Sequence, residues 1–207
     1  MQAAHARGVA QYVILGAGLD TFAYRWTGQL DGLAIFEVDQ PDMQAWKRRR
    51  AEELGLVDPP ELVYVPVDFE TMSLAGALTD AGVRTDTPVV FSWLGVTQYL
   101  TSEAIESTLQ VLARWPESSE AVITYLLPRE QWGEDAEFGQ AAELVAERRG
   151  NNWLSVFTPE QVEDLVRGCG FSRVEHFGPE EAKDAYFTNR GDNLQPCVME
   201  RVIVAIV

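Results

Sequence analysis

The chain has 207 residues, a length that fits one domain. Its formal net charge is −16, and this acidic balance excludes a nucleic-acid partner, because binding nucleic acid requires basic groups that face the phosphates. No apolar run approaches the roughly 20 residues that span a bilayer, and the N-terminus lacks the apolar core of a signal peptide, so we expect a cytoplasmic protein with no membrane partner. Cys169 and Cys197 lack the spacing of metal or redox motifs, so we expect free thiols and no metal.

Short apolar runs alternate with helical patterns along most of the chain. We predict helices at about 20–32, 41–54, 71–81, 101–115 and 136–149, and another after the capping sequence Thr158-Pro159-Glu160-Gln161. The predicted strands are 12–15, 33–38, 62–67, 88–93, 121–127, 173–177 and 201–207, and the first five are almost wholly apolar. This order predicts an α/β fold whose parallel sheet is covered by helices on both faces.

A glycine turn, Gly16-Ala17-Gly18, follows the first strand, and Asp20 and Thr21 can then start a helix. Glycines allow a tight turn and a close approach of a ligand to the backbone, and a helix N-terminus presents free N–H groups. A dinucleotide-binding turn would carry a third glycine where Thr21 stands, whereas a turn that binds S-adenosylmethionine needs only close approach. A strand-to-helix turn without a ligand is the third interpretation.

The basic run Lys47-Arg48-Arg49-Arg50 lies within the helix predicted at 41–54. We interpret it as a solvated helix face with partners such as Glu53 one turn away.

Acidic residues end the second and third predicted strands, where parallel sheets bind their ligands. Asp39 lies at the tip of the second strand, and Glu37 shares its face. A carboxylate there, about 20 residues after the glycine turn, can accept hydrogen bonds from two ribose hydroxyls. Asp68 ends the third strand, where it could accept from an adenine amino group with Phe69 against the ring. A helix N-cap is the alternative role for either acid.

Two further regions are candidates for binding the substrate. After the fourth strand, Gly95 permits an unusual backbone, and Gln98 and Tyr99 could face the reacting group or form a buried aromatic loop. Residues 128–157 interrupt the alternation of strands and helices, so we expect this insertion either to cover the substrate or to pack as a peripheral helix. The remaining sequence shows no linker or repeat, and we predict a single domain over 1–207.

Residues 11–25, 36–41, 67–69 and 93–101 together resemble the leucine carboxyl methyltransferase-like family of class I S-adenosylmethionine-dependent methyltransferases. The sequences LGAGLDT and EVDQP carry most of the resemblance. It implies a seven-stranded sheet whose last strand is antiparallel, with S-adenosylmethionine as the cofactor. It also implies cofactor contacts at Gly16 and Gly18, with Ala17 between them, at Asp39, and at Asp68 with Phe69.

The chain departs from the family pattern in three places. Family members usually carry a helical segment before the glycine turn, including an arginine that holds the cofactor's carboxylate, and we expect its absence here to impair activity. Many members have a glutamate where Leu94 stands. Members that methylate a protein's terminal leucine have a basic residue where Glu70 stands, which argues against that reaction here.

The leading hypothesis is therefore a methyltransferase that acts on an oxygen of a small molecule, such as a carboxylate, because no histidine stands where a catalytic base would be needed. No catalytic residue is predicted. A nicotinamide-dependent oxidoreductase is the alternative enzyme, although the chain lacks a YxxxK pair. A protein that binds the cofactor without turnover is the third possibility. The oligomeric state is left open.

Overall fold

A computed structural model describes residues 1–26, 28–188 and 190–207. One seven-stranded sheet has the order β3-β2-β1-β4-β5-β7-β6. Strands β1 to β5 pair in parallel, and β7 is antiparallel to both β5 and β6. The predicted α/β fold is confirmed, as is the antiparallel last strand that the family resemblance implied. The strands are β1 (Gln11–Leu15), β2 (Ala34–Asp39), β3 (Leu62–Pro66), β4 (Val90–Trp93), β5 (Glu120–Leu126), β6 (Arg173–Phe177) and β7 (Glu200–Ile206).

The helices alternate with the strands, as the sequence predicts for most of the chain. They are α1 (Gln2–Ala6), α2 (Phe22–Trp26), α3 (Pro41–Glu53), α4 (Leu74–Asp80), α5 (Ser102–Leu112), α6 (Ala136–Arg148), α7 (Pro159–Gly168) and α8 (Pro179–Ala182), with a π-helical turn at Lys183–Phe187. The capping box at Thr158 forms as predicted, with both reciprocal hydrogen bonds between Thr158 and Gln161. The helices α1 and α8 were not predicted.

The helix predicted at 20–32 is much shorter in the structure. It is α2, which ends at Trp26, and residue 27 lies outside the described residues. Gly28 and Gly32 both adopt φ of +70°, in the left-handed region that glycine tolerates and that ends α-helices. The prediction was wrong because the spacing of the apolar residues Trp26 and Leu30 suggested that the helix continues, whereas the glycines end it and change the direction of the chain.

The interpretation of the basic run was wrong for Lys47. Its side chain is buried between α3 and the sheet, where Nζ donates to the carboxylate of the fully buried Glu37 at 2.5 Å. Burial raises the pKa of Glu37, while the hydrogen bond and charge of Lys47 act in the opposite direction. The other three residues of the run are exposed, and Arg50 pairs with Glu53 at 2.9 Å.

The insertion at 128–157 forms two short 3₁₀ turns and α6. Asp135 fastens it to the start of β7, because its carboxylate accepts from the backbone N–H groups of Val198 and Met199. Trp132 is buried below α6, and its indole N–H donates to the Leu127 carbonyl at 2.7 Å. Among all the described helices, none is long and apolar enough to cross a membrane.

Candidate functional site

The glycine turn closes tightly over the end of β2. Gly16 and Gly18 have φ of +67° and +46°, which residues with a side chain rarely adopt. The N–H groups of Gly16 and Ala17 both donate to the Val38 carbonyl, at 2.7 and 3.0 Å. The N–H of Gly18 donates to the Asp39 carboxylate at 2.5 Å. All three N–H groups of the turn therefore donate to β2, and none of them is free to face a ligand.

Asp39 joins the glycine turn to the start of α3. One carboxylate oxygen accepts from Gly18 and the other from the N–H of Gln40 at 2.7 Å. Each carboxylate oxygen has a second lone pair, so ribose hydroxyls could still donate to it. Asp39 thus has a structural role in addition to the binding role that its position at the strand tip predicts.

A cavity of about 780 Å³ opens at the carboxyl ends of the strands. It brings together five of the predicted site residues, namely Gly16, Gly18, Asp39, Phe69 and Tyr99. Its remaining lining consists of Gln40, Asp42, Met43, Glu70, Gly95, Val96, Leu100, Gly150, Asn151, Asn152 and Leu154.

A smaller cavity of about 350 Å³ continues past the glycine turn. The two cavities share Gly16, Gly18 and Gly95, so they form one cleft with the turn along its wall. Ala17 contributes only to the smaller cavity, whose other lining residues are Ile14, Leu15, Leu19, Asp20, Ser92 and Leu94.

Asp68 and Gln98 do not line either cavity. The Asp68 carboxylate accepts from the N–H of Glu70 at 3.0 Å, which makes a local turn next to Phe69. Gln98 is 7% exposed, and its Oε1 is buried with no hydrogen-bond partner among the described residues. The structure therefore places both residues directly beside cavity-lining neighbours, without placing their side chains in the cleft.

The loop after β4 packs against the glycine turn. Gly95 has φ of +71°, and its N–H donates to the Thr124 hydroxyl at 2.7 Å. A Cβ added at Gly16 would lie 2.3 Å from Cγ2 of Val96. Gly16 is thus required by contact with this loop, whereas a Cβ at Gly18 would meet no atom closer than 3.9 Å.

Glu70 and Thr101 join the loop after β3 to the N-terminus of α5. The two carboxylate oxygens of Glu70 accept from the backbone N–H and the hydroxyl of Thr101, both at 2.9 Å. The Thr101 hydroxyl in turn accepts from the N–H of Ala104 as the helix N-cap. This link was not predicted, since nothing in the sequence brings residues 31 positions apart together.

The end of the insertion forms one wall of the larger cavity. The N–H of Leu154 donates to the Gln98 carbonyl at 2.6 Å, and the Ser155 hydroxyl donates to the Leu100 carbonyl at 2.7 Å. These bonds hold Asn151 and Asn152 at the cavity opposite the glycine turn. Neither asparagine was predicted as a site residue, although a polar Asn-Asn pair after a helix end at Gly150 was a signal that could have identified them.

The electrostatic character of the cleft is acidic. Asp39, Asp42 and Glu70 line the larger cavity and Asp20 the smaller one, while no lysine or arginine is among the described residues that line either. A cationic ligand is therefore favoured over one that carries phosphates. Nowhere in the described ranges do three or more histidine, cysteine or acidic side chains come together to hold a metal ion.

Comparison with known proteins found similarity to S-adenosylmethionine-dependent methyltransferases. A family model described as leucine carboxyl methyltransferase matches residues 1–113. The chain is 35% identical over 190 residues to "Putative S-adenosyl-L-methionine-dependent methyltransferase YktD" of Bacillus subtilis, covering 90% of this chain and 62% of that protein. A relative in Mycobacterium marinum is 39% identical over 110 residues, which make up 52% of this chain and 34% of the relative. The chain thus spans less than two thirds of the length of these relatives.

Solved structures share the fold at low sequence identity. Human N-acetylserotonin methyltransferase in complex with S-adenosylmethionine superposes with a TM-score of 0.61 at 12% identity, covering 100% of this chain and 49% of that one. A DUF574 family protein from Streptomyces avermitilis gives a TM-score of 0.66 at 16% identity, covering 99% of this chain and 79% of that one. At such identities the similarity concerns the arrangement of strands and helices.

Proposed function

Because the chain belongs to the leucine carboxyl methyltransferase family, we propose that it is an S-adenosylmethionine-dependent methyltransferase that methylates an oxygen atom of a small molecule. The observation that supports this most directly is the state of the glycine turn. Its three N–H groups donate to Val38 and Asp39, so they are not free to hold a pyrophosphate. A nicotinamide dinucleotide depends on such donors, whereas S-adenosylmethionine has no phosphate.

The charge of the cleft supports the same choice of cofactor. S-adenosylmethionine carries a sulfonium cation, which the acidic lining of Asp39, Asp42 and Glu70 attracts. The two phosphates of a dinucleotide would face the same carboxylates and be repelled. The residues therefore fit S-adenosylmethionine better than the nicotinamide cofactors of the alternative oxidoreductase.

The residues at the strand ends divide into binding roles along the cleft. We assign the ribose hydroxyls to Asp39 and the adenine ring to Phe69, which packs beside Trp93 with ring centroids 6.1 Å apart. Asp68 lies beside Phe69 but does not line the cleft, so its side chain would have to turn towards the ring for the carboxylate oxygen that does not bind Glu70 to accept from the adenine amino group. The cofactor would lie against the backbone of the glycine turn at Gly16, Ala17 and Gly18, as the family resemblance implies.

The acceptor is assigned to the end of the larger cavity that the insertion encloses. Tyr99, Asn151 and Asn152 line it, and Gln98 lies beside it with its unpartnered amide oxygen. When bound, S-adenosylmethionine supplies a methyl group that moves to the acceptor oxygen as the carbon–sulfur bond breaks and its electron pair stays on sulfur. The chain's own part is to hold both reactants in line and exclude water, which proximity and orientation can accomplish. We propose that the insertion, residues 128–157, covers the bound acceptor at this end of the cavity.

Neither histidine is available as a base in the cleft. His176 lies on β6 and contacts Glu163 at 3.1 Å, and His5 bonds to the Val9 carbonyl near the N-terminus. A carboxylate acceptor needs no base, while a hydroxyl acceptor would need its proton removed by another group or by solvent.

The location of the protein in the cytoplasm and the impairment of its activity, both expected in the sequence analysis, stay predictions.

Isothermal titration with S-adenosylmethionine, S-adenosylhomocysteine and NAD tests the proposal. We expect the two adenosyl compounds to bind and NAD not to bind. Binding of NAD alone would point to the oxidoreductase, and binding of no compound would refute both. A subsequent screen of hydroxyl and carboxylate acceptors with a labelled methyl donor separates a turning-over enzyme from a protein that only binds the cofactor.

A further inference from the structure

Arg25 is a cation without an assigned role that lies close to the smaller cavity but does not line it. Arg25 is exposed and makes no ion pair among the residues that the structure describes. Its side chain runs back along α2, and Nε donates to the Thr21 hydroxyl at 2.9 Å. Thr21 directly follows Asp20, which lines the smaller cavity. The guanidinium is therefore held beside the glycine turn by Nε, and its terminal nitrogens bind no other residue that the structure describes.

A second set of contacts locates Arg25 relative to the cavity floor. Tyr12 lies on β1, which pairs with β4, and Ser92 on β4 lines the smaller cavity and is 5% exposed. Burial raises the pKa of the Tyr12 hydroxyl, and the charges of Asp20 and Arg25 act on it in opposite directions. Asp20 and Arg25 thus both lie close enough to the Tyr12 hydroxyl to influence its charge, which agrees with the contact of Arg25 with Thr21 next to Asp20.

Resting on the proposed function, we propose that Arg25 binds the α-carboxylate of S-adenosylmethionine, whose amino-acid end occupies the smaller cavity. The adenosine end is assigned to the larger cavity with Asp39 and Phe69, so the amino-acid end must pass the shared glycines to reach Asp20. That end carries one ammonium and one carboxylate. Asp20 offers an anion to the first, and Arg25 offers the second a planar fork that matches a carboxylate.

Other charged groups do not provide this contact. The described lining of the smaller cavity holds Asp20 as its one charged residue, and a carboxylate there without a cation would face only repulsion. Arg48 on α3 lies over the ring of Tyr64 on β3, 5.0 Å from its centroid, and does not line the smaller cavity. Thr21 fixes one end of the Arg25 guanidinium, which reduces the side-chain freedom lost when the ligand binds.

The test compares two ligands that differ only at the amino-acid end. S-adenosylhomocysteine keeps the ammonium and carboxylate, and 5′-methylthioadenosine lacks both while keeping adenosine and sulfur. In Arg25→Gln we expect affinity for S-adenosylhomocysteine to fall by about tenfold, the effect of one charge-assisted hydrogen bond. Affinity for 5′-methylthioadenosine should stay within twofold, and Arg25→Lys should recover part of the loss.

Two further variants separate binding from folding. Thr21→Val keeps the guanidinium but removes its tether, so it should show a smaller loss with the same selectivity for S-adenosylhomocysteine. Arg50→Gln removes an exposed arginine of α3 and should change neither affinity. An equal loss for both ligands in Arg25→Gln would show that Arg25 only supports the turn, and unchanged affinity for both would also overturn the assignment. If the unmodified chain bound 5′-methylthioadenosine as tightly as S-adenosylhomocysteine, the assignment would fail while the proposed function stood. If it bound neither ligand, the proposed function itself would fail.

Discussion

Replacing Gly16 with alanine should destabilise the protein more than the same change at Gly18, because only the first meets a neighbouring side chain. Both glycines have positive φ, so each alanine carries a left-handed backbone cost of about 1–2 kcal/mol. At Gly16 the new Cβ would also lie 2.3 Å from Cγ2 and 3.1 Å from Cγ1 of Val96. Relieving such an overlap by shifting the loop costs about 1–3 kcal/mol more.

The total for Gly16→Ala is therefore about 2–5 kcal/mol, against about 1–2 kcal/mol for Gly18→Ala. Alanine also restricts the unfolded chain, but this effect is the same at both positions and cancels in the comparison. Urea unfolding followed by circular dichroism gives the free energy of unfolding for each variant, and an unchanged m-value confirms that the same transition is measured.

The double variant Gly16→Ala/Val96→Ala isolates the overlap. Removing the two methyl groups of Val96 should recover the steric part of the loss, so the two changes should be less harmful together than the sum of their separate effects by about 1–3 kcal/mol. Equal destabilisation by the two glycine variants, together with strict additivity in the double variant, would refute the steric argument.

Folded Gly18→Ala should bind S-adenosylhomocysteine more weakly than the unmodified chain, because the added Cβ meets no protein atom closer than 3.9 Å and Gly18 lines the cleft.

Three further predictions concern charged groups. Asp39→Ala should weaken S-adenosylmethionine binding by about 1–3 kcal/mol in calorimetry, and unchanged affinity in a folded variant would contradict the ribose assignment. Lys47→Met should destabilise the fold by about 3–5 kcal/mol at neutral pH, since it leaves Glu37 charged and unpaired. This loss, measured by urea unfolding, should become smaller as the pH falls. Without Lys47 the already raised pKa of Glu37 rises further, so the carboxylate takes up a proton and no longer carries an unpaired charge. For Asp135, burial opposes ionisation, but backbone hydrogen bonds outweigh it and lower the pKa. Its stabilisation is present above the unfolded pKa of about 3.9 and is lost as the pH falls through the lower folded value, so the gap in thermal stability between Asp135→Asn and the unmodified chain should close in acid; a constant gap would contradict this role.

The features that depend on neighbours in the sequence could be predicted. The glycine turn and Asp39 were recognisable because each directly follows or ends a strand. The carboxyl ends of parallel strands lie at the same edge of the sheet, so residues at these ends come together. The capping box at Thr158 was likewise local.

Features that depend on pairing between distant elements were missed. Lys47 was interpreted as solvated because three arginines follow it, and only its pairing with Glu37 across the sheet explains its burial. Asn151 and Asn152 were recognisable as a polar pair after a helix end, but their place in the cleft depends on backbone bonds between the insertion and Gln98, which the sequence does not reveal. The extent of α2 was overestimated for a local reason, since Gly28 outweighed the apolar spacing.

The position of β7 determines the order in which the sheet can be completed. It is the last strand in the chain, yet it lies between β5 and β6, and β6 pairs with no other described strand. During synthesis β6 and α7 are therefore made before the strand that attaches them to the sheet, and the edge of β5 stays open until residues 200–206 arrive. A nascent chain paused before residue 200 would present unpaired edges on β5 and β6, which are sites for aggregation or chaperone binding. Completion of the sheet is thus coupled to the synthesis of β7.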